Sequence, residues 1–201
     1  MGNSRARIAV FLSGSGSNLQ ALLDATKTNQ LTADIIWVVS SNPKAYGMTR
    51  AEQSGIATTV FQAKEFSSAE LASDFLLNEL QTRNVEYIAL AGYLKLLPNA
   101  VVQKYRDKIV NIHPGKLPKY GGKGMYGHHV HEAVVANKET ETAVTVHLVD
   151  EIYDHGRVLD TTVVSVLPND TAETLADRVL IQEHLLYPRV LQKLISGGYD
   201  A

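Results

Sequence analysis

Residues 109 to 114 read Ile109-Val110-Asn111-Ile112-His113-Pro114, and the rest of the chain can be arranged around this segment. Side chains two residues apart in a β-strand lie on the same face, so Asn111 and His113 are expected to be neighbours. Pro114 ends the strand, because proline has no N–H for the ladder and restricts the residue before it. The segment therefore predicts a strand with two hydrogen-bonding side chains at its carboxyl end. A polar strand end with an ordinary structural histidine is the competing interpretation.

Four apolar segments before this strand have the length of buried strands and alternate with helical patterns. The strands are predicted over residues 7–12, 35–39, 58–61 and 87–91. Helices are predicted from Leu19, over 46–54 with Gly55 after it, from Ser67 or Ser68 with Leu71, Phe75, Leu76 and Leu80 on one face, and from Pro98 to Tyr105. This alternation predicts an α/β fold with three layers, in which a mostly parallel, twisted, Rossmann-like sheet lies between helices.

The pattern changes after Pro114, where glycine and lysine become frequent. Residues 115–127 predict a long, mobile, basic surface loop, and loops of this length inside a domain are usually functional. A helix over 128–136 follows, then a strand over 142–149 with Thr145 and His147 on one face. A turn over 150–156 joins it to a strand over 158–166, which predicts an antiparallel C-terminal pair, and a closing helix starts at 169–171. Without repeats or a domain boundary, residues 1–201 are expected to form a single domain.

The first predicted strand runs directly into Ser13-Gly14-Ser15-Gly16-Ser17-Asn18 and then into a helix. This order presents free backbone N–H groups and a positive dipole end to an anion. The loop has no lysine and no GxxxxGK[ST] pattern, and it lacks the full GxGxxG spacing of dinucleotide sites. A single phosphate monoester is therefore the ligand of matching size. The alternative is an ordinary turn in which Ser17 or Asn18 caps the helix.

Ligands of open parallel sheets bind outside the carboxyl ends of the strands, where the strand order reverses. The Gly14–Asn18 loop, residues 92–97 and the pair Asn111 and His113 are all expected at that edge. Asp154 follows His113 by about 40 residues in a turn that carries three carboxylates. A nearby carboxylate raises the pKa of an imidazole and keeps it protonated, and an amide N–H stabilises a developing oxyanion. The set predicts an acyl-transfer site, although the composition of Asp154-His155-Gly156 alone favours a turn-forming role for Asp154.

Composition narrows the classes of partner. The net charge of −2 argues against a general nucleic-acid binder, and the absence of cysteine excludes disulfides and thiolate catalysis. The N-terminal residues 1–6 are short and polar, lack the apolar core of a signal peptide, and are expected to be flexible. No apolar run approaches the roughly 20 residues of a membrane helix. We therefore expect a soluble, cytoplasmic protein that acts on small molecules, as a monomer or homodimer, without nucleic acid or membrane.

Several short motifs lie along almost the whole chain: Ser13-Gly14-Ser15-Gly16-Ser17-Asn18, Leu90-Ala91-Gly92-Tyr93, Asn111-Ile112-His113-Pro114, Leu117-Pro118-Lys119-Tyr120, Thr145-Val146-His147, Tyr153-Asp154-x-Gly156 and Gln182-Glu183-His184. Together they resemble the folate-dependent formyltransferase family. The Asn-x-His motif with a downstream aspartate is shared by the wider family. The N-terminal loop and the Gln-Glu-His segment resemble its glycinamide ribonucleotide branch.

The resemblance implies transfer of the formyl group of 10-formyltetrahydrofolate to the amino group of glycinamide ribonucleotide, a step of purine biosynthesis. It implies that Asn111 and His113 polarise the formyl group, that Asp154 raises the pKa of His113, and that no metal is needed. The implied substrate phosphate and ribose residues are Gly16, Ser17, Asn18 and Glu183. The implied folate residues are Leu94, Lys95, Leu96, Leu97, Asn111, Asp150, Glu151, Ile152, Tyr153 and Asp154.

The chain departs from the family pattern at Gly115-Lys116 and at Gly121-Gly122-Lys123-Gly124. An arginine expected in the folate site is replaced near Ala69, and Lys95 stands where arginine is common. Three alternatives stay open. A methionyl-tRNA formyltransferase would be expected to have a basic C-terminal extension, and a formyltetrahydrofolate deformylase would be expected to have an N-terminal regulatory domain. The third alternative is a phosphometabolite-binding module without catalysis. The four histidines that lie outside the family motifs, at 128, 129, 131 and 155, do not form a metal-ligand pattern.

Overall fold

The computed structural model describes residues 5–199, so most of the expected flexible start lies outside the described residues. Within that range seven strands form one sheet: β1 (Ala6–Leu12), β2 (Ala33–Ser40), β3 (Ala57–Val60), β4 (Tyr87–Leu90), β5 (Ile109–His113), β6 (Glu141–Leu148) and β7 (Val158–Ser165). The helices of the same range are α1 (Ser17–Lys27), α2 (Tyr46–Gln53), α3 (Ala69–Thr82), α4 (Asn99–Lys104), α5 (His128–Ala136) and α6 (Ala172–Ile195), with a 3₁₀ turn at Ala63–Glu65.

The strand order is β3-β2-β1-β4-β5-β6-β7. Strands β1 to β5 pair in parallel, whereas β6 pairs antiparallel with both β5 and β7. This confirms the predicted α/β fold with a mostly parallel sheet and an antiparallel C-terminal pair. The order reverses between β1 and β4, so the loops that follow these two strands form the crevice where ligands bind in such sheets.

Alternate residues of β1 belong to different cores on the two faces of the sheet. Ile8, Val10 and Leu12 pack with residues of α1, α5 and α6, whereas Ala9 and Phe11 pack with residues of α3 and α4. This separation follows from the period of two in a strand and gives the three predicted layers. No helix in residues 5–199 has the length and apolar character needed to cross a bilayer.

One of the alternatives and one local prediction about helices are wrong. Gly16, not Ser17 or Asn18, is the N-cap of α1; it has a φ of +72°, and no side chain caps this end. In α3 the side chain of Ser68 accepts from the Leu71 N–H as predicted. Leu71 itself is 52% exposed, and Ala72 takes its predicted place on the buried face. Leu76 and Leu80 are buried as predicted and Phe75 is partly buried against the same core, so the predicted face is wrong only at its first position.

Helix α6 is fastened to the sheet at the parallel pair β4 and β5. The hydroxyl of Tyr187, fully buried, lies 2.8 Å from the carbonyl oxygen of Leu90 and 3.2 Å from that of Val110. A phenol has one hydrogen, so the two carbonyls share it. This contact ties the longest helix to the strands that carry the crevice.

We predict that Tyr187→Phe lowers the free energy of unfolding by about 1–2 kcal/mol, because a buried hydrogen bond is lost at nearly unchanged volume. Urea unfolding of the two proteins measures this difference. The control is Tyr46→Phe, which removes a hydroxyl from a tyrosine that is 54% exposed. Equal stability of the two variants would contradict the assigned anchoring role.

Candidate functional site

A cavity of about 1240 Å³ lies at the carboxyl ends of the parallel strands. It runs from the loop after β1 past β4 and β5 to the turn after β6. The predicted site residues that line it are Gly16, Ser17, Asn18, Leu94, Lys95, Leu96, Leu97, Asn111, His113, Asp150, Ile152, Tyr153 and Asp154. Glu151 and Glu183 are not among its lining residues. The fold therefore brings nearly all the predicted residues to one place.

The loops after β1 and β4 are joined through Ser13. Its hydroxyl accepts from the backbone N–H of Leu94 at 3.0 Å and lies 2.7 Å from the Ser41 hydroxyl. The crevice at the strand reversal therefore has a fixed width at its base. Leu94 and Leu96 remain 44% and 48% exposed above it, whereas Leu97 packs in the core. An exposed apolar pair beside a cavity is suited to a flat apolar ligand.

The pairing of β5 with β6 places Asn111 opposite His147. The Nδ1 atom of His147 lies 2.7 Å from the Leu148 carbonyl oxygen, which can only accept, so Nδ1 carries a hydrogen. In the neutral ring Nε2 is then an acceptor, and it lies 3.1 Å from Nδ2 of Asn111. The same Nδ2 lies 3.4 Å from Oδ1 of Asp154. Both amide hydrogens of Asn111 are therefore engaged, the second only by a long contact.

The tautomer of His113 follows from its contact with a backbone carbonyl. Its Nε2 lies 2.6 Å from the carbonyl oxygen of Tyr120, so Nε2 carries the hydrogen. Nδ1 faces Oδ1 of Asp154 at 3.7 Å. In the neutral ring Nδ1 has a lone pair, and this nitrogen is the one available for proton transfer. The Tyr120 hydroxyl in turn donates to Glu139 at 2.7 Å, which holds the loop from outside the cavity.

The expectation that His113 has a raised pKa is wrong. Burial of the ring lowers its pKa below the usual 6.5, and this effect exceeds the opposing effect of the Asp154 charge and of the Tyr120 carbonyl. Asp154 does act in the predicted direction, because an opposite charge favours the imidazolium. His113 is 3% exposed, so the loss of hydration is nearly complete. The resting imidazole is therefore neutral near pH 7.

Asp154 is the acceptor on which the site converges. Its carboxylate accepts from Nδ2 of Asn111 and from the backbone N–H of Gly122 at 3.0 Å, and it lies 3.7 Å from Nδ1 of His113. Burial raises its pKa, but the neighbouring imidazoles of His147 and His113 and the Gly122 N–H together hold the pKa below 3.8. Its φ of +53° lies in the left-handed region, which aspartate tolerates better than most residues. The carboxylate is thus charged at neutral pH.

Glu183 does not line the cavity. It lies beside the segment from Ser13 to Asn18, which we call the Gly/Ser loop. Its Oε2 atom accepts from Nδ2 of Asn18 at 2.6 Å, and the side chain is 8% exposed. Burial raises its pKa to about 7, against a smaller lowering effect of the Asn18 hydrogen bond. The two residues that the resemblance implies for phosphate and ribose are therefore in direct contact.

The turn over residues 150–156 sends its carboxylates in different directions. Asp150 lines the cavity and accepts from His155 at 2.6 Å, whereas Glu151 pairs with Arg106 at 3.2 Å outside it. Glu151 is therefore the folate-site prediction with the weakest support in this geometry. In residues 5–199 no group of three or more His, Asp or Glu side chains is arranged to hold a metal ion.

Three parts of the site were not predicted. His147 was placed on a strand face with Thr145 and within a family motif but was given no role in the site, although its strand period made contact with β5 possible. The Tyr120 carbonyl and the Gly122 N–H are backbone groups, which no side-chain pattern reveals. The loop of residues 115–127 contacts Asp154 through the Gly122 N–H, and Gly121 packs against the Asp154 Cβ.

This geometry defines a class: an open α/β sheet with a glycine- and serine-rich loop at the strand reversal and an Asn, His and Asp cluster beside it. A family model described as formyl transferase matches residues 6–191. The chain belongs to the formyl transferase family.

Several named proteins are similar over most of this chain. The chloroplastic phosphoribosylglycinamide formyltransferase of Vigna unguiculata is 42% identical over 190 residues, which cover 94% of this chain and 61% of that protein. The Escherichia coli K12 phosphoribosylglycinamide formyltransferase is 37% identical, with 94% and 87% covered. The chain spans only 14% of the Drosophila melanogaster trifunctional purine biosynthetic protein adenosine-3, to which it is 40% identical.

Solved structures agree with the fold. The crystal structure of phosphoribosylglycinamide formyltransferase from Brucella melitensis has a TM-score of 0.86 and 42% identity, and covers 96% of this chain and 97% of that chain. A formyltetrahydrofolate deformylase from Pseudomonas syringae has a TM-score of 0.83 at 21% identity, covering 96% and 63%. This second likeness concerns the fold alone.

The raised pKa of Glu183 predicts a specific dependence of stability on pH. The carboxyl has a pKa of about 7 when folded and about 4.5 when unfolded, so the folded state keeps a proton that the unfolded state loses. The protonated carboxyl of Glu183 therefore adds to the free energy of unfolding below about pH 4.5, and this contribution is lost as the pH rises to about 7. At about 1.4 kcal/mol per pH unit the loss is on the order of 3 kcal/mol.

We expect Glu183→Gln to remove this loss, because an amide keeps the acceptor for Asn18 without ionising. Urea unfolding of both proteins at pH 5 and pH 8 measures the effect as a difference between their pH slopes. Buried histidines act in the opposite direction in both proteins and cancel in the comparison. Identical slopes would show that Glu183 ionises normally in the folded protein.

Proposed function

We propose that this protein transfers the formyl group of 10-formyltetrahydrofolate to the amino group of glycinamide ribonucleotide, as a phosphoribosylglycinamide formyltransferase of purine biosynthesis. The observation that carries the proposal is the joint position of the Gly/Ser loop and the Asn111, His113 and Asp154 cluster along one cavity. The names of relatives at about 40% identity support the same substrates.

The reaction needs an attacking amine, a stabilised oxyanion and one proton transfer. The substrate amine forms a bond to the formyl carbon, and the bond from that carbon to folate nitrogen N10 then breaks. Asn111 turns its weakly held amide hydrogen from Asp154 to the developing oxyanion. Neutral His113 takes the ammonium proton at Nδ1 and returns it to the departing N10. The charge of Asp154 stabilises the imidazolium in between.

The two substrates occupy different ends of the cavity in this proposal. The phosphate lies against the backbone of Gly16, Ser17 and Asn18, and Glu183 contacts the ribose after its Asn18 bond is exchanged. The pterin of the folate lies against residues 94–97 and 150–154. Direct attack of the amine requires neither a covalent enzyme intermediate nor a metal. We place the reaction in the cytoplasm and expect a monomer or homodimer that binds neither nucleic acid nor membrane.

The first test supplies a 10-formylfolate together with glycinamide ribonucleotide and follows the absorbance of the deformylated folate. We expect product only when the ribonucleotide is present. Product without the ribonucleotide would identify a deformylase. No product with both substrates would contradict the proposal and leave a phosphate-binding module.

We predict that Asp154→Asn lowers kcat about 100-fold or more, because proton transfer by His113 loses its stabilising charge. Loss of that charge also lowers the pKa of His113 further, so the acidic limb of the kcat/KM profile moves to lower pH. KM values should change little. The control is Asp160→Asn, which breaks an exposed contact with Arg189. Near-normal turnover of Asp154→Asn would remove this residue from the mechanism.

A further inference from the structure

Arg50 of α2 contacts the Gly/Ser loop without lining the main cavity. Residues 14–18 line that cavity, whereas Arg50 lines a second, smaller groove behind them together with Ser17, Gln20 and His184. The loop therefore has a ligand-facing side and a side supported by α2.

Two hydrogen bonds from α2 fix the orientation of the loop peptides. The Gly47 N–H donates to the carbonyl of Gly14 at 3.1 Å, and Nε of Arg50 donates to the carbonyl of Ser15 at 3.0 Å. In a trans peptide the N–H of the next residue points opposite to the carbonyl. The N–H groups of Ser15 and Gly16 therefore point away from α2, and neither donates to another group of residues 5–199.

The guanidinium is itself held in place. Its Nη1 donates to Oε1 of Gln20 at 3.2 Å, and its Cζ lies 4.9 Å from the centre of the Tyr46 ring. Gly16 has a positive φ and approaches α2 so closely that a Cβ would lie 2.5 Å from the Gly47 Cα. Because glycine loops are otherwise free to rotate, these contacts select one loop conformation.

We propose that Arg50 is a positioning residue for the substrate phosphate, an inference that rests on the function proposed above. By holding the Ser15 carbonyl on the α2 side, Arg50 turns the Gly16 N–H to the cavity, where it donates to a phosphate oxygen. The segment from Ser13 to Asn18 has no cation of its own, and a phosphate monoester carries nearly two negative charges at pH 7. The guanidinium behind the loop adds a favourable field to this geometric effect.

The test compares Arg50→Met, Arg50→Lys and the wild type. Methionine keeps the alkyl stem but removes the donors and the charge, whereas lysine keeps the charge and loses the fork that joins Ser15 to Gln20. The matched control is Arg83→Met on α3, whose guanidinium lies 5.1 Å from the Trp37 ring and pairs with Glu79 at 2.7 Å. Thermal unfolding of each variant shows whether it is folded.

We expect Arg50→Met to raise KM for glycinamide ribonucleotide about tenfold, the effect of losing one charged hydrogen bond. The kcat value and KM for the formyl donor should stay within about twofold, since a structural defect would change them together. Arg50→Lys should show an intermediate KM. The dissociation constant of inorganic phosphate, measured by calorimetry, should rise in parallel, and Arg83→Met should match the wild type.

An unchanged KM and phosphate affinity in Arg50→Met would overturn the proposal. So would an Arg50→Lys variant equal to the wild type, because charge alone would then explain the effect, and so would an equal loss in Arg83→Met. If the wild type bound phosphate but showed no formyl transfer, the proposed function would fail. The phosphate titration would still decide the role of Arg50, because it requires no turnover.

Discussion

The antiparallel pairing of β6 against β5 is the constraint on which the site depends. It places His147 opposite Asn111, and β6 ends opposite Val110. The turn after β6 then brings the Asp154 carboxylate to 3.7 Å from Nδ1 of His113. The turn packs so tightly that a Cβ at Gly156 would overlap the Leu148 carbonyl.

Burial and charge compete inside the cluster that this pairing creates. Removing water from His113 favours the neutral ring, and Asp154 favours the charged one. A strongly dominant carboxylate would leave a permanent imidazolium unable to accept a proton. Because the effect of burial on the pKa is larger than that of Asp154, the resting ring is neutral. The fixed charge of Asp154 then lowers the energy of the imidazolium only when it forms. In the proposed reaction, the same burial that lowers the pKa of His113 allows the ring to act as a base.

The strands, their mostly parallel direction and the position of the cavity could be predicted from the sequence, because strand period and glycine placement are local signals. The exposure of Leu71 in α3 could not, since a helix face is decided by the packing of the whole layer. His147 was missed because its importance comes from its register with Asn111, which is set between distant strands. The sign of the His113 pKa shift depends on its depth of burial, and no spacing of residues reports depth.

The two halves of the sheet supply different kinds of electrostatics to one cavity. The parallel half, at β1 and β4, offers backbone N–H groups whose charges are fixed and do not titrate. The other end of the cavity, where β5 meets the antiparallel β6, offers His113 and Asp154, whose charges respond to protons. In the proposed reaction the substrate phosphate keeps its charge and is matched by fixed dipoles, whereas the reacting amine gains and loses a proton. The proposal therefore assigns phosphate binding and proton transfer to separate elements of the fold.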